Sequence, residues 1–211
     1  MLELEKLHEA VIEGDWKTAA AVTRIAIAAG VAPLTIVSGY LVPAMDEVGR
    51  RFDCEEYFVP EMLLSARAMK ASMEIVRPLL TATGAEPVGR IVIGTVKGDL
   101  HDIGKNLVSS MLEGGGFEVI DLGADVAPER FVEAATVHKA NLVALSALLT
   151  VTMPWMKTTI DAFQDAGIRE KVKIMVGGAP ITQQYADAIG ADGYGESAGS
   201  AVALARKLAA V

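Results

Sequence analysis

Through the first eighty positions, apolar residues recur every third or fourth residue, the spacing of amphipathic helices, and no run keeps the alternation of a half-buried strand. Four helices are predicted. The first covers about 2–13 and stops at Gly14; the second, capped by Asp15, carries Trp16, Ala19, Val22 and Ile25 and ends at Gly30. The third opens at Pro33, where the missing N–H of proline is tolerated, and runs to about Arg51, with Pro43 expected to kink or divide it. The fourth spans about 60–80, and turn formers at 84–89 read as a linker.

From Arg90 the pattern changes to short β-branched runs separated by helical stretches, the signature of β-α units and a parallel sheet. Strands are predicted at 91–96, 118–122, 142–146, 173–176 and about 192–194, with helices at about 103–113, 128–139, 154–166, 182–189 and 197–210. The chain thus divides into a helical-bundle cap domain over 1–83 and an α/β domain over 90–211, the latter a flavodoxin-like, Rossmann-like doubly wound five-stranded parallel sheet. Ligands of such sheets sit at the carboxyl ends of the strands, and chemistry is expected there.

Composition narrows the function classes. The 211 residues suit one to two domains, and 52% apolar with 22% charged residues exclude wholesale disorder. With 19 basic against 27 acidic side chains, the net charge of −8 disfavours nucleic-acid binding. No apolar run is long enough for a membrane span and the N-terminus lacks the pattern of a secretory signal, so a cytoplasmic location is expected. Cys54 is the only cysteine, which rules out an intrachain disulfide and a cysteine-based zinc cluster.

The loop after the first predicted strand reads Gly94-Thr95-Val96-Lys97-Gly98-Asp99-Leu100-His101-Asp102-Ile103-Gly104-Lys105-Asn106. It has neither the Gly-Lys-Ser/Thr close of a P-loop nor the glycine spacing of a dinucleotide fingerprint. It offers a histidine two residues after an aspartate, the pairing that orients an imidazole and makes it a more basic metal ligand. Ser146-Ala147-Leu148 ends the third strand and Gly177-Gly178-Ala179 follows the fourth, so small or hydroxylated residues border a deep, narrow slot at the same sheet edge.

Asp99-x-His101-x-x-Gly104, then 41 residues to Ser146-x-Leu148, then 28 to Gly177-Gly178, resembles the three-part signature of cobalamin-binding domains in methionine synthase and in the corrinoid proteins of methyltransferase systems. The helical half resembles the cap module preceding such domains, through Arg51-Phe52-Asp53-Cys54-Glu55-Glu56-Tyr57-Phe58-Val59-Pro60-Glu61 and Ser65-Ala66-Arg67-Ala68-Met69-Lys70. The resemblance implies a cobalamin or related corrinoid whose nucleotide tail is buried in the slot and whose cobalt takes His101 as lower axial ligand. Asp99 would accept the second imidazole proton and Ser146 would extend that relay. Leu100, Asp102 and Ile103 would flank the ligand, Gly104, Leu148, Gly177 and Gly178 would accommodate the tail, and Phe52 and Val59 would cap the upper corrin face.

The implied function is a methyl-carrying corrinoid subunit, not catalytic alone, that cycles between Co(I) and methyl-Co(III) while shuttling a methyl group from a substrate-specific methyltransferase to a second, acceptor methyltransferase. The chain has no room for a substrate barrel of roughly 250 residues. A cobalamin-dependent sensor is the alternative, and a flavin-binding flavodoxin-like domain ranks below it. His8 and His138 lie beside charged neighbours on helices, Cys54 lacks an activating base, and Trp155 and Met156 are assigned to packing. Lys97 and Lys105 are either solvated or in contact with propionamide or phosphate groups.

Overall fold

The computed structural model describes residues 4–82 and 87–210. They form two compact units, one over 1–87 with 113–116, the other over 88–112 and 117–211. The expected helix start at residue 2 and positions 84–86 of the expected linker lie outside the described residues.

The first unit contains α1 (Glu5–Ile12), α2 (Trp16–Ala28), α3 (Pro33–Ile36), α4 (Val42–Asp53) and α5 (Val59–Ala82). Asp15 caps α2 as its sequence position implies: its carboxylate accepts from the amides of Lys17 and Thr18 at 3.2 and 3.1 Å. Pro43 neither breaks nor simply kinks the third helix. A π turn over Val37–Leu41 joins α3 to α4, with the Val42 amide donating to Val37 O five residues back. The widened turn takes up the register change that a proline ring forces on the preceding carbonyls. Between α4 and α5, the Arg51 guanidinium donates to Glu47 at 2.8 Å and to the Tyr57 hydroxyl at 3.0 Å, which ties the turn holding Glu55 at φ 59° to α4.

The second unit alternates β1 (Arg90–Thr95), α6 (Ile103–Gly114), β2 (Glu118–Asp121), α7 (Pro128–Val137), β3 (Leu142–Ser146), α8 (Pro154–Asp165), β4 (Lys173–Gly177), α9 (Gln183–Ile189), β5 (Gly193–Gly195) and α10 (Ala198–Ala209). All pairings are parallel and the order is β2-β1-β3-β4-β5. The order reverses between β1 and β3, so the loops leaving these two strands flank the switch point where such sheets bind ligands.

Strand alternation sends Val92, Val143 and Ile174 into a core with Phe131, Ile160 and Phe163, each at most 1% exposed. Burying each of these side chains stabilises the unit by about 1.5–3 kcal/mol. The opposite face carries a second row, in which Asp121 pairs with Ile93, Ile93 with Ala144, and Ala144 with Met175. No helix among the described residues is long and apolar enough to cross a membrane.

Candidate functional site

Beneath that second row's carboxyl end lies a cavity of about 550 Å³. Its sheet wall includes Ile93, Ala144, Met175 and Gly177; Gly104, Leu107 and Val108 of α6 and Ala198 and Ala201 of α10 supply the facing helices. Every lining residue belongs to the second unit. Leu100, His101, Asp102, Ile103, Ser146, Leu148 and Gly178, drawn from three separate loops or strand ends, are brought together around it as the sequence spacing implied.

The β1–α6 loop is pinned from several sides. The Gly98 amide donates to Asp125 Oδ1 at 2.7 Å, the Thr95 hydroxyl donates to His101 O at 3.0 Å, and the Asp125 amide donates to Asp99 O at 3.0 Å. These bonds leave the Asp99 side chain fully buried. Its Oδ2 accepts from the Leu148 amide at 2.8 Å, the Leu149 amide at 3.2 Å and the Thr152 hydroxyl at 2.7 Å. Its Oδ1 accepts from the His101 amide at 3.1 Å and lies 2.8 Å from His101 Nδ1. Burial alone would raise the carboxyl pKa, but the donors from Leu148, Thr152 and His101 outweigh it and hold the group well below the ordinary carboxylate range.

An ionised carboxylate only accepts, so His101 Nδ1 carries the proton and the Nε2 lone pair faces outward. The His101 side chain is 52% exposed, open to a ligand, and Nε2 has no hydrogen-bond partner among the described residues. An imidazole with one nitrogen held on a carboxylate and the other free is oriented to donate one bond to a metal. A metal bound by protein side chains alone would need more: no group of three or more His, Cys, Asp or Glu fit to hold one occurs among the described residues.

One sequence expectation is corrected. Ser146 makes no hydrogen bond to Asp99; it ends β3 with its side chain at the cavity, and the hydroxyl on the carboxylate is that of Thr152, 5% exposed, in the turn entering α8. A chain reversal after Leu148 carries Thr152 back over the carboxylate, which sequence spacing alone does not reveal. The available signal was Thr152 itself, a hydroxyl between apolar Val151 and Met153 just before Pro154.

Lys105 is corrected as well. It is neither solvated nor free to meet an anion: it is 2% exposed, and its Nζ donates to both oxygens of Asp121 and to Asn106 Oδ1. Lys97 is exposed and stands 4.7 Å from the Trp155 ring centroid. Met156 is buried in the core with Trp155 packed against it. Cys54 and His138 are exposed and His8 is partly so.

The glycines separate into two kinds. At Gly104 an added Cβ would meet nothing within 4 Å, so packing of the protein alone does not require a glycine in this part of the cavity wall. Such a bare spot accommodates a ligand running against the backbone, and it fits a corrinoid nucleotide tail. Gly178, by contrast, has φ 127° and would place a Cβ 1.9 Å from Ala147 O, so the loop demands it on steric grounds. At Gly177 a Cβ would stand 3.0 Å from Gly195 O. In the helical unit, Phe52 on α4 is partly buried and Val59 at the start of α5 is 37% exposed.

A cavity at the switch point of a parallel sheet, beside an imidazole backed by a buried carboxylate, defines a ligand-binding α/β domain. The B12 binding domain family matches residues 89–203, a second B12 binding domain family matches residues 3–77, and the chain belongs to this family of B12-binding corrinoid proteins. It is 44% identical to trimethylamine corrinoid protein 2 of Methanosarcina mazei over 202 residues, covering 95% of this chain and 93% of the relative. It is 43% identical to the dimethylamine corrinoid protein of Methanosarcina barkeri over 209 residues, covering 98% and 97%. Among solved structures it resembles a chain of the methanol:cobalamin methyltransferase complex of Methanosarcina barkeri, with a TM-score of 0.85 at 31% identity, over 98% of this chain and 79% of that one.

Proposed function

We propose that the chain is the methyl-carrying corrinoid protein of a methylamine-type methyltransferase system, passing a methyl group from a substrate-specific methyltransferase to an acceptor methyltransferase. The observation that carries this reading is His101, exposed at the cavity mouth with Nδ1 fixed on buried Asp99. When bound, the corrinoid supplies a cobalt that alternates between Co(I) and Co(III), taking a methyl group in one state and yielding it in the other.

The chain's own residues do the rest. His101 would hold the cobalt through Nε2, while Asp99 keeps the proton on Nδ1 and strengthens the imidazole as a donor. Thr152 and the amides of Leu148 and Leu149 hold Asp99 in its ionised form, so that its Oδ1 stays an acceptor for His101 Nδ1. Gly104 would leave backbone room for the tail, with Ser146, Leu148, Gly177 and Gly178 also lining the cavity beside it. Leu100 and Ile103, 76% and 78% exposed, would offer apolar surface to the macrocycle, with Asp102 between them. By the sequence resemblance, Phe52 and Val59 would be the residues that shield the corrin from solvent.

Electron paramagnetic resonance of the protein loaded with Co(II) cobalamin tests the assignment. The wild type is expected to show nitrogen splitting from an axial imidazole, and His101→Ala to lose it. Identical spectra would rule out His101 as ligand. Methyl transfer with added methylamine methyltransferases then separates a carrier from a sensor.

A further inference from the structure

The reading above leaves Lys105 without a task, although its position is costly. It lies in the first turn of α6, a turn with no acidic residue, where the helix dipole disfavours a cation. Its ammonium is also withdrawn from water, a desolvation cost that pairing with the partly exposed Asp121 must offset. A residue that breaks two local rules at the edge of a binding cavity points to a constraint other than folding.

Its partner supplies the constraint. Asp121 ends β2 and takes Lys105 Nζ at 2.6 and 2.5 Å, while its Oδ1 also accepts the Gly123 amide at 2.8 Å. Asp121 pairs in register with Ile93, and Ile93 with Ala144, so the carboxylate stands in the same cross-strand row that supplies the cavity's sheet wall. Lys105 lines the facing wall together with Gly104 and Leu107 of α6, while its Nζ is turned to Asp121 and Asn106. The ion pair therefore bridges the two walls at one end of the row, with Asn106 Oδ1 at 2.6 Å as a third holder of the same ammonium.

We infer that Lys105 is a positioning residue: through Asp121 it sets the separation between the first turn of α6 and the sheet, and thereby the fit of the cavity to the corrinoid's nucleotide tail. This rests on the corrinoid-binding reading and adds that tail recognition, rather than the cobalt bond alone, depends on this strut. A strut that sets the spacing of the cavity's walls is expected to matter for ligands that enter the cavity and not for those that stop at its mouth.

Cobalamin and cobinamide, which carries the corrin ring without the nucleotide tail, separate the two cases in absorbance titrations of the full chain. Lys105→Met keeps the length of the buried stem and leaves Asp121, whose side chain is 37% exposed, free to rehydrate. Cobalamin affinity is expected to fall about 10- to 100-fold, the range for supporting groups one contact removed from a ligand, while cobinamide affinity stays unchanged. The double variant Lys105→Met/Asp121→Asn, which removes both charges, is expected to give the same selective loss. Equal losses for both ligands, or none, overturn the proposal, as do variants that circular dichroism shows to be unfolded. A wild-type protein that binds neither ligand contradicts the corrinoid-binding reading instead.

Discussion

Thr152 donates to Asp99 across 53 positions of sequence, closing at 2.7 Å a contact between the turn entering α8 and the loop leaving β1. This hydroxyl, with the two amides before it, separates a buried carboxylate that stays ionised from one that would take up a proton.

Replacing Thr152 with the isosteric Val removes that donor without opening a cavity. The loss at neutral pH is expected to be about 1.5–3 kcal/mol, the range for a hydrogen bond to a charged group. Asp99 has a folded pKa below its unfolded value, so its contribution is present above the unfolded carboxyl range and fades as pH falls through the folded value. Without Thr152 the folded pKa moves back up. Urea unfolding as a function of pH should therefore show acid destabilisation setting in at higher pH in the variant, with the gap from wild type narrowing once both carboxyls are protonated.

Gly104 and Gly178 should respond in opposite ways to an added side chain. Gly104→Leu meets open space, so unfolding free energy should hold while cobalamin binding weakens by about 1–3 kcal/mol of overpacking, roughly five- to 150-fold in affinity. Gly178→Ala meets Ala147 O in a backbone region closed to other residues and should lower stability by about 1–3 kcal/mol or more with or without ligand. A Gly104 variant that binds normally would remove the tail from that part of the wall.

Shielding by the helical unit is tested with light. Methylcobalamin bound to Phe52→Ala should photolyse faster than when bound to the wild type, and equal rates would leave Phe52 as ordinary packing in the bundle.

Much of the architecture was readable along the chain because its signals are local. The strand at 142–146 falls where β-branched periodicity put it, and the three loops that meet at the cavity follow from strand order. The Asp99–His101 contact was legible for the same reason, since two residues of separation in a loop suffice to bring carboxylate and imidazole together. What escaped was set by distant chain. Ser146 and Thr152 are both hydroxyls near the end of β3, and only the path of the turn decides which one reaches Asp99. Lys105 resembled a loop lysine until Asp121, 16 positions on, drew it inside. Pro43 announced a disturbance, but the apolar periodicity around it does not distinguish a kink from a widened turn ahead of the proline.

Every residue that lines the cavity belongs to the second unit, so on the proposed reading the hold on the tail would be confined to one folding unit. A carrier that passes from one enzyme to another would then keep its cofactor by a foothold lying wholly within a single folding unit.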